Sequence, residues 1–368
     1  MRSKPKTSKK RPWLWGIAGI LVILIGCGAY YSYNVYNALD GLNKTGKEES
    51  RFTEFQETET EKPPEWTGKE RVNILLMGGD GRGLEKNQVA RSDSMLVVSI
   101  DPVTKKAHLF SVLRDTFVDV EGYGTNRINA AVALGGPNVA MKTIGDLLGL
   151  HIQYYVYTEF EGFKSLVDAI GGIDFNVEKD MNYVDNADGN RYDIHLKQGF
   201  QHLDGDKALQ YVRFRHDAMS DFTRTERQRD FMKAVADKMK STWSIANMAE
   251  IINAVSPYIE TNLSIGDMLK LSSLGLNIQM SGSAQVPPMQ LIGDEKVGGA
   301  SVLAVRDEEK LHQYVQETLT EDSTQMAGTD GSGSSGADKS GGSGASGASG
   351  TTGSAGNGTN SAGSGSTQ

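Results

Sequence analysis

Hydrophobic and polar positions divide the chain into an apolar segment near its start, a patterned body and two polar margins. Residues 13–33 carry no charge, and the stretch from Leu14 to Ala29 is rich in Ile, Leu, Val, Gly and Ala. As a helix, residues 13–33 cover about 31 Å, close to one hydrocarbon thickness. Trp13, Trp15, Tyr30, Tyr31 and Tyr33 stand near its ends, where amphipathic rings favour a membrane interface. The preceding residues 1–12 hold Arg2, Lys4, Lys6, Lys9, Lys10 and Arg11 and no acid, a flank that keeps an N-terminus inside the cell. The pattern predicts a single-pass helix at 13–33 with the remaining chain extracellular. Leu24-Ile25-Gly26-Cys27 also fits a lipid-attachment box, so lipoprotein anchoring at Cys27 is the alternative.

Beyond the apolar segment, short apolar runs alternate with helical periodicity. Val72–Met77, Met95–Ile100 and Ala107–Leu113 read as strands, the last two joined as a hairpin through Asp101-Pro102. Pro137–Leu150 has apolar residues at helical spacing with Pro137 near its start. Tyr154–Tyr157 is a strand, Phe160–Ile170 a helix stopped by Gly171-Gly172, and Ile173–Val177 a further strand. Tyr211–Arg215 alternates like a strand, and one long helix is expected from Asp230 through Ile251. This order predicts an α/β fold with a mixed central sheet sandwiched by helices. Residues 34–69 are polar, with Pro63-Pro64, and read as a stem; residues 70–320 form one globular domain. Residues 321–368 are dominated by Gly, Ser, Ala and Thr, which cannot offset their ordering entropy, so that tail is expected to stay disordered.

Composition narrows the function. Of 368 residues, 38 are Lys or Arg and 46 Asp or Glu, a formal net charge of -8, so a nucleic-acid partner is not expected. Cys27 is the single cysteine, which excludes an intramolecular disulfide and a Cys-rich metal site. There is no phosphate-binding Gly-Lys-Ser/Thr loop and no Gly-x-Ser-x-Gly elbow, and the histidines show no ligand spacing.

Candidate chemistry gathers in four short segments. Gly78-Gly79-Asp80-Gly81-Arg82-Gly83 follows the first strand; Arg91-Ser92-Asp93-Ser94 precedes the second; Arg114-Asp115 ends the third. Each alone also reads as a tight turn or a surface charge. In the fourth, a strand at 211–215 would put Arg213 and Arg215 on one face, and a following helix would align Arg224, Arg227 and Gln228 beyond Asp221. Guanidinium forks match phosphate geometry and stay charged, so the four segments together point to an oxyanion site. Asp80 and Asp93 could hold Mg²⁺ together with water and phosphate oxygens.

These residues resemble the LytR-CpsA-Psr family. Ile74–Asp80, Arg91–Ser94, Ser111–Thr116, Arg127–Ala131, Asp168–Ile173, His202–Gly205 with Ala208-Leu209, and Arg224–Gln228 are similar to its motifs, in order, over nearly all of residues 70–240. Leu113 stands where a proline is usual and Gly81 where Ser is frequent; neither removes a charge. The resemblance implies an extracellular phosphotransferase. It would move an anionic glycopolymer, of wall-teichoic-acid or capsule type, from a polyprenyl-pyrophosphate carrier to peptidoglycan as a phosphodiester. It also implies an α/β sandwich with an apolar tunnel for the lipid and arginines at its mouth. Carried over, Asp80 and Asp93 are the metal aspartates and Mg²⁺ or a similar divalent cation the cofactor. Arg114, Arg213, Arg215 and Asp221 are the expected catalytic set, and Arg82, Arg91, Arg224, Arg227 and Gln228 the expected substrate contacts. The residues leave the general base open among Asp93, Asp115 and Asp221. The same groups would also serve a lipid pyrophosphate hydrolase or a non-enzymatic binder of envelope polymer.

Overall fold

The computed structural model describes residues 12–42, 50–55, 65–81, 88–184, 189–190, 192–216 and 221–327, with side chains left out at 12–25 and 321–327. The expected basic tail, the Gly/Ser tail after Ala327 and Arg82 lie outside these residues. A first helix, α1, runs over Pro12–Asp40. Among the described residues no helix is long and apolar enough to cross a membrane, and the side chains of most of the expected spanning segment are outside that description.

The centre is a six-stranded mixed sheet. Its first three strands, β1 (Val72–Gly79), β2 (Ser92–Asp101) and β3 (Lys106–Val112), form the expected antiparallel meander. β4 (Thr116–Val120) and β5 (Gly124–Arg127) leave it to start a small second sheet. The helix α2 (Ala131–Leu148) then crosses back. It is kinked at Gly135 and Gly136, and Gly136 has φ of 75°, a backbone that favours glycine. Pro137 opens the second segment, where a missing N–H costs nothing. β6 (Tyr154–Glu159) pairs parallel with β1 and runs straight into α3 (Phe160–Ala169).

β7 (Ile173–Val177), β8 (Met181–Tyr183), β9 (Ile194–Leu196) and β10 (Gly199–Leu203) make two small two-stranded sheets. The next element corrects the expectation of a strand at 211–215. Residues Gly205–Arg213 are a helix, α4, whose N-terminus is capped by the Asp204 side chain accepting from the Lys207 N–H. Ala208, Leu209, Tyr211 and Val212 are its buried stripe, so the alternation at 211–215 is the end of a helical pattern that begins earlier. Arg213 therefore ends a helix, while Phe214 has extended backbone and leads Arg215 away. The expected long helix is three: α5 (Asp221–Met239), α6 (Thr242–Ala246) and α7 (Met248–Val255), broken where Ser241 caps α6 and Asn247 separates α6 from α7. β11 (Ile259–Thr261) and β12 (Gln279–Val286), with α8 (Ile265–Gly275) between them, complete the large sheet in the order β11-β6-β1-β2-β3-β12. β13 (Ile292–Val297) and β14 (Ala300–Val305) extend the small sheet, and α9 (Glu308–Ala327) closes the body, past the expected boundary at 320.

Period-two alternation gives the sheet two apolar faces. One buries Leu75, Met77, Val97, Phe110 and Tyr157 against Ile144 and Leu148 of α2 and Leu311 and Val315 of α9. The other carries Val72, Ile74 and Tyr154, which pack with Leu39 of α1, Trp66 and Met268 of α8. Parts of the expected stem thus belong to the core: Leu39, Phe52 and Trp66 are buried.

Candidate functional site

On that second face, Leu76, Leu96 and Val156 are cross-strand neighbours: Leu76 pairs with Leu96 on one side and with Val156 on the other. They floor a cavity of about 470 Å³. Phe160, Phe163 and Leu166 of α3 form one wall, and Leu209 and Val212 of α4 with Met232 of α5 form another. Spacing of three puts those α3 residues on one helical face. The apolar periodicity of α3 and α4 thus serves both a core and a cavity, a distinction the sequence could not draw.

The polar mouth is built by strand and helix ends. Gly79 pairs with Ser92 and Gly78 with Ser94, so Asp80 and Asp93 come to the same end of adjacent strands, and both line the cavity. Arg114 follows β3 at that end, and its Nη1 donates to Asp93 Oδ1 at 2.7 Å. Its Nε lies 3.8 Å from Asp221 Oδ1 and 3.6 Å from Asp115 Oδ2. Arg215 stands between the same acids, with Nη2 3.9 Å from Asp93 Oδ2 and Nε 3.9 Å from Asp221 Oδ1. Arg224, one turn into α5, reaches Asp221 through Nη2 at 2.9 Å and is 2% exposed. Three guanidinium groups thus share Asp93 and Asp221, with Asp115 beside Arg114.

Burial and the mutual repulsion of the arginines act on their proton affinities. Burial lowers the Arg224 pKa, and Arg215 next to it lowers it further, to about 10. Burial and then Arg114 lower that of Arg215. For Arg114 burial also works against the charge, but Asp93, then Asp221 and Asp115, outweigh it and the pKa is raised. The Nε–H groups of Arg114 and Arg224 are buried without a hydrogen-bond partner. Buried donors are normally satisfied, so the Nε–H of Arg224, a residue that lines the cavity, is one an oxyanion there would complete; Arg114 does not line the cavity, and its Nε lies beside Asp115 and Asp221.

Other expected residues divide. Gln228 lines the cavity, accepts from Ser94 Oγ at 3.0 Å and donates to the Val212 carbonyl at 3.2 Å. Arg213 also lines it; its guanidinium lies 4.9 Å from the Phe160 ring centre and 5.2 Å from that of Tyr192, and donates to the Tyr192 carbonyl at 3.0 Å. Arg227 is turned away: its Nε pairs with Glu178 at 2.6 Å and its Nη1 donates to the Phe214 carbonyl at 2.9 Å. Arg91 is exposed and does not line the cavity. Glu159 lines the cavity and Tyr192 backs Arg213, neither having been expected. Tyr192 carries no sequence signal, and Glu159 is one acid among many.

Among the described residues, no group of three or more His, Cys, Asp or Glu gathers that could hold a metal ion. Mg²⁺ beside phosphates, however, takes most of its shell from water and substrate oxygens and needs one or two carboxylates. Asp80 and Asp93, at one end of neighbouring strands and on one cavity, fit that donor chemistry.

The model of the LytR_cpsA_psr family matches residues 30–320. The polyisoprenyl-teichoic acid–peptidoglycan teichoic acid transferase TagU of Bacillus mycoides is 35% identical over 279 residues, 75% of this chain and 86% of that protein. Among solved structures, TagT bound to LI-WTA aligns with a TM-score of 0.58 at 27% identity, covering 70% of this chain and 93% of the other. The LytR-CPS2A-psr family protein YwtF (TagT) with bound octaprenyl pyrophosphate lipid aligns with a TM-score of 0.54 at 26% identity, with the same 70% and 93% coverage.

Proposed function

This chain belongs to the LytR_cpsA_psr family, and from that premise we propose that it transfers a teichoic-acid-type glycopolymer from a polyprenyl-pyrophosphate carrier to peptidoglycan. The observation that carries this reading is one cavity with two chemistries: apolar walls of Leu76, Leu96, Val156, Phe160, Phe163 and Leu166, and a mouth where Arg215 and Arg224 meet Asp80 and Asp93. A prenyl chain is matched by the first and a diphosphate by the second. The related TagU carries the name of this reaction, and the related TagT structure holds octaprenyl pyrophosphate.

In the reaction, a peptidoglycan hydroxyl oxygen attacks the phosphorus that bears the glycopolymer. The bond from that phosphorus to the bridging oxygen breaks, and polyprenyl phosphate leaves. Such transfers demand mainly positioning and neutralisation of oxygen charge. The Nε–H of Arg224 would donate to a non-bridging oxygen, Arg215 would balance its charge, Arg114 would hold Asp93 in place, and Gln228 would fix the approach. Arginine does not act as base. Asp93, whose Oδ1 is held by Arg114 while Oδ2 lies 3.9 Å from Arg215, serves the charge balance of the mouth, and the hydroxyl proton passes to an oxygen of the departing polyprenyl phosphate. Asp221 is bound by Arg224 through both oxygens, at 2.9 and 3.1 Å, and orients the cluster. A Mg²⁺ held by Asp80 and Asp93 would supply further neutralisation of the diphosphate.

The reading extends to placement. With residues 13–33 as a membrane anchor and the body outside, Tyr31 would stand at the outer interface. Its hydroxyl donates to the Ile245 carbonyl, and beside it Trp243 and Ile245 of α6 are exposed, as suits a lipid headgroup zone.

The test is turnover with a lipid-linked glycopolymer and a peptidoglycan acceptor. Arg224→Ala should lower kcat by about 10²–10³-fold, the cost typical of removing one donor to developing oxyanion charge. Unchanged turnover would remove Arg224 from the chemistry; no turnover by the wild-type protein would leave a polymer-binding protein, and release of glycopolymer without acceptor a hydrolase.

A further inference from the structure

The expected stem contributes an arginine that pairs with Glu159, a residue of the cavity lining. Ser50, Arg51 and Phe52 lie across the β6–β11 edge of the sheet. Phe52 is buried and packs edge-on against Tyr155 and Tyr157, with ring centres 5.9 and 5.2 Å away. Ser50 Oγ donates to Glu260 Oε2 at 2.7 Å, and Arg51 donates to Glu260 Oε1 from its backbone N–H at 3.0 Å and from Nε at 2.8 Å. Arg51 Nη1 bonds Glu159, and its guanidinium stands 5.2 Å from the centre of the Tyr157 ring. Glu260 is 2% exposed.

The second of these acids faces the substrate cavity. Glu159 lines it, and its carboxylate lies against the backbone of Gly81, where an added Cβ would come within 2.6 Å of it. An added Cβ at Gly79 would strike the Tyr157 hydroxyl. The turn carrying Asp80 therefore rests on Tyr157 and Glu159, which Arg51 holds from below. An unpaired carboxylate here would repel a diphosphate at the mouth.

We propose that Arg51 is a positioning residue of the anion site: by pairing with Glu159 and Glu260 it cancels carboxylate charge beneath the Gly79–Gly81 turn, so the site is complete only with the 50–55 segment docked. The inference rests on the reading of the ligand as a prenyl pyrophosphate. It joins the membrane-side segment to the chemistry, since the residues that dock the body also condition its electrostatics.

The experiment measures the Kd of farnesyl pyrophosphate and the Tm of the full-length protein in detergent micelles. Arg51→Ala should weaken binding about tenfold, and adding Glu159→Gln should bring it back to within about threefold of wild type, because the unpaired charge that faces the cavity is then gone, while Glu260, which does not line it, keeps the Ser50 hydroxyl. Arg51→Lys should fall between. Weakened binding that Glu159→Gln does not restore, or unchanged binding with a lowered Tm, would reduce Arg51 to a structural tie and overturn the proposal. Should Arg51→Ala fail to fold, Glu159→Gln alone decides: with Arg51 still paired to Glu260, it should bind as tightly as wild type or tighter, and weaker binding overturns the idea. A wild-type protein that does not bind the probe removes the prenyl-pyrophosphate reading itself, whereas wild-type binding with an indifferent Arg51→Ala removes this inference alone.

Discussion

Arg224 and Arg227 are three residues apart on α5, share a charge and a chemistry, and do different work. Arg224 is buried at the cavity mouth with an unpartnered Nε–H; Arg227 pairs with Glu178 and holds the carbonyl of Phe214, the residue before Arg215. Arg227→Ala should therefore act through stability. It strips one partner from Glu178 and the donor from the Phe214 carbonyl, a loss of about 1–3 kcal/mol in urea unfolding, with kcat reduced far less than by Arg224→Ala. A reversed order of kcat effects would show that Arg227 touches substrate. Gly79→Ala is the second test at this scale. Its Cβ would meet the Tyr157 hydroxyl and, at 3.2 Å, the Ala90 Cβ, and Tyr157 is fully buried. Something rigid must shift, and Asp80 shifts with it. Pyrophosphate affinity should fall together with Tm, and retention of both would mean that the turn is looser than its packing.

At the scale of elements, what the sequence displayed was strength of pattern. β1, β2, β3, β6, β7 and α3 have buried runs or unbroken periodicity ended by glycine or turn residues, and they stand within a few residues of where the pattern put them. The short strands β8, β9 and β11 span three residues each, too few for a period to register. β13 is exposed along most of its length and has no apolar face to read. The site residues were legible by type, because arginine and aspartate beside strand ends have few uses. Their geometry was not: Arg213 and Arg215 were expected on one strand face and are divided by the end of α4, so one stacks on aromatic rings and the other joins the ion cluster. Glu159 was invisible because its importance depends on Arg51, 108 residues away in sequence. The cavity has its own test at this scale. Leu96 is flanked by Leu76 on the neighbouring strand at the cavity floor, so Leu96→Trp should fill the prenyl space while leaving the mouth intact. Binding of a long prenyl pyrophosphate should drop by more than about tenfold, and that of inorganic pyrophosphate should hardly change. Equal losses for both would show that the apolar chamber does not receive the lipid.

For the molecule as a whole, the mouth is a place where the free protein gives up stability. Burial depresses the Arg224 pKa to about 10 from 12.5, so the folded chain binds that proton less tightly than the unfolded chain does. The resulting penalty is present in full below pH 10 and fades only as the pH rises through 10 toward the unfolded value, so it operates throughout the physiological range. Two buried Nε–H groups without partners add to it. A diphosphate bound at the mouth would relieve the deficit at Arg224. A ligand that binds only the folded state at about 100 times its Kd adds about 2.7 kcal/mol, which for a body of this size is a rise in Tm on the order of 5 °C. Differential scanning calorimetry of the full-length protein should show this rise with a prenyl pyrophosphate. Inorganic pyrophosphate should produce a smaller rise at equal concentration, and the corresponding prenyl alcohol little at all, because the alcohol fills the chamber without relieving the arginines. If the alcohol stabilises as much as the pyrophosphate, the arginine cluster is not where binding energy is gained, and the mouth described here is a salt-bridged surface beside a lipid pocket.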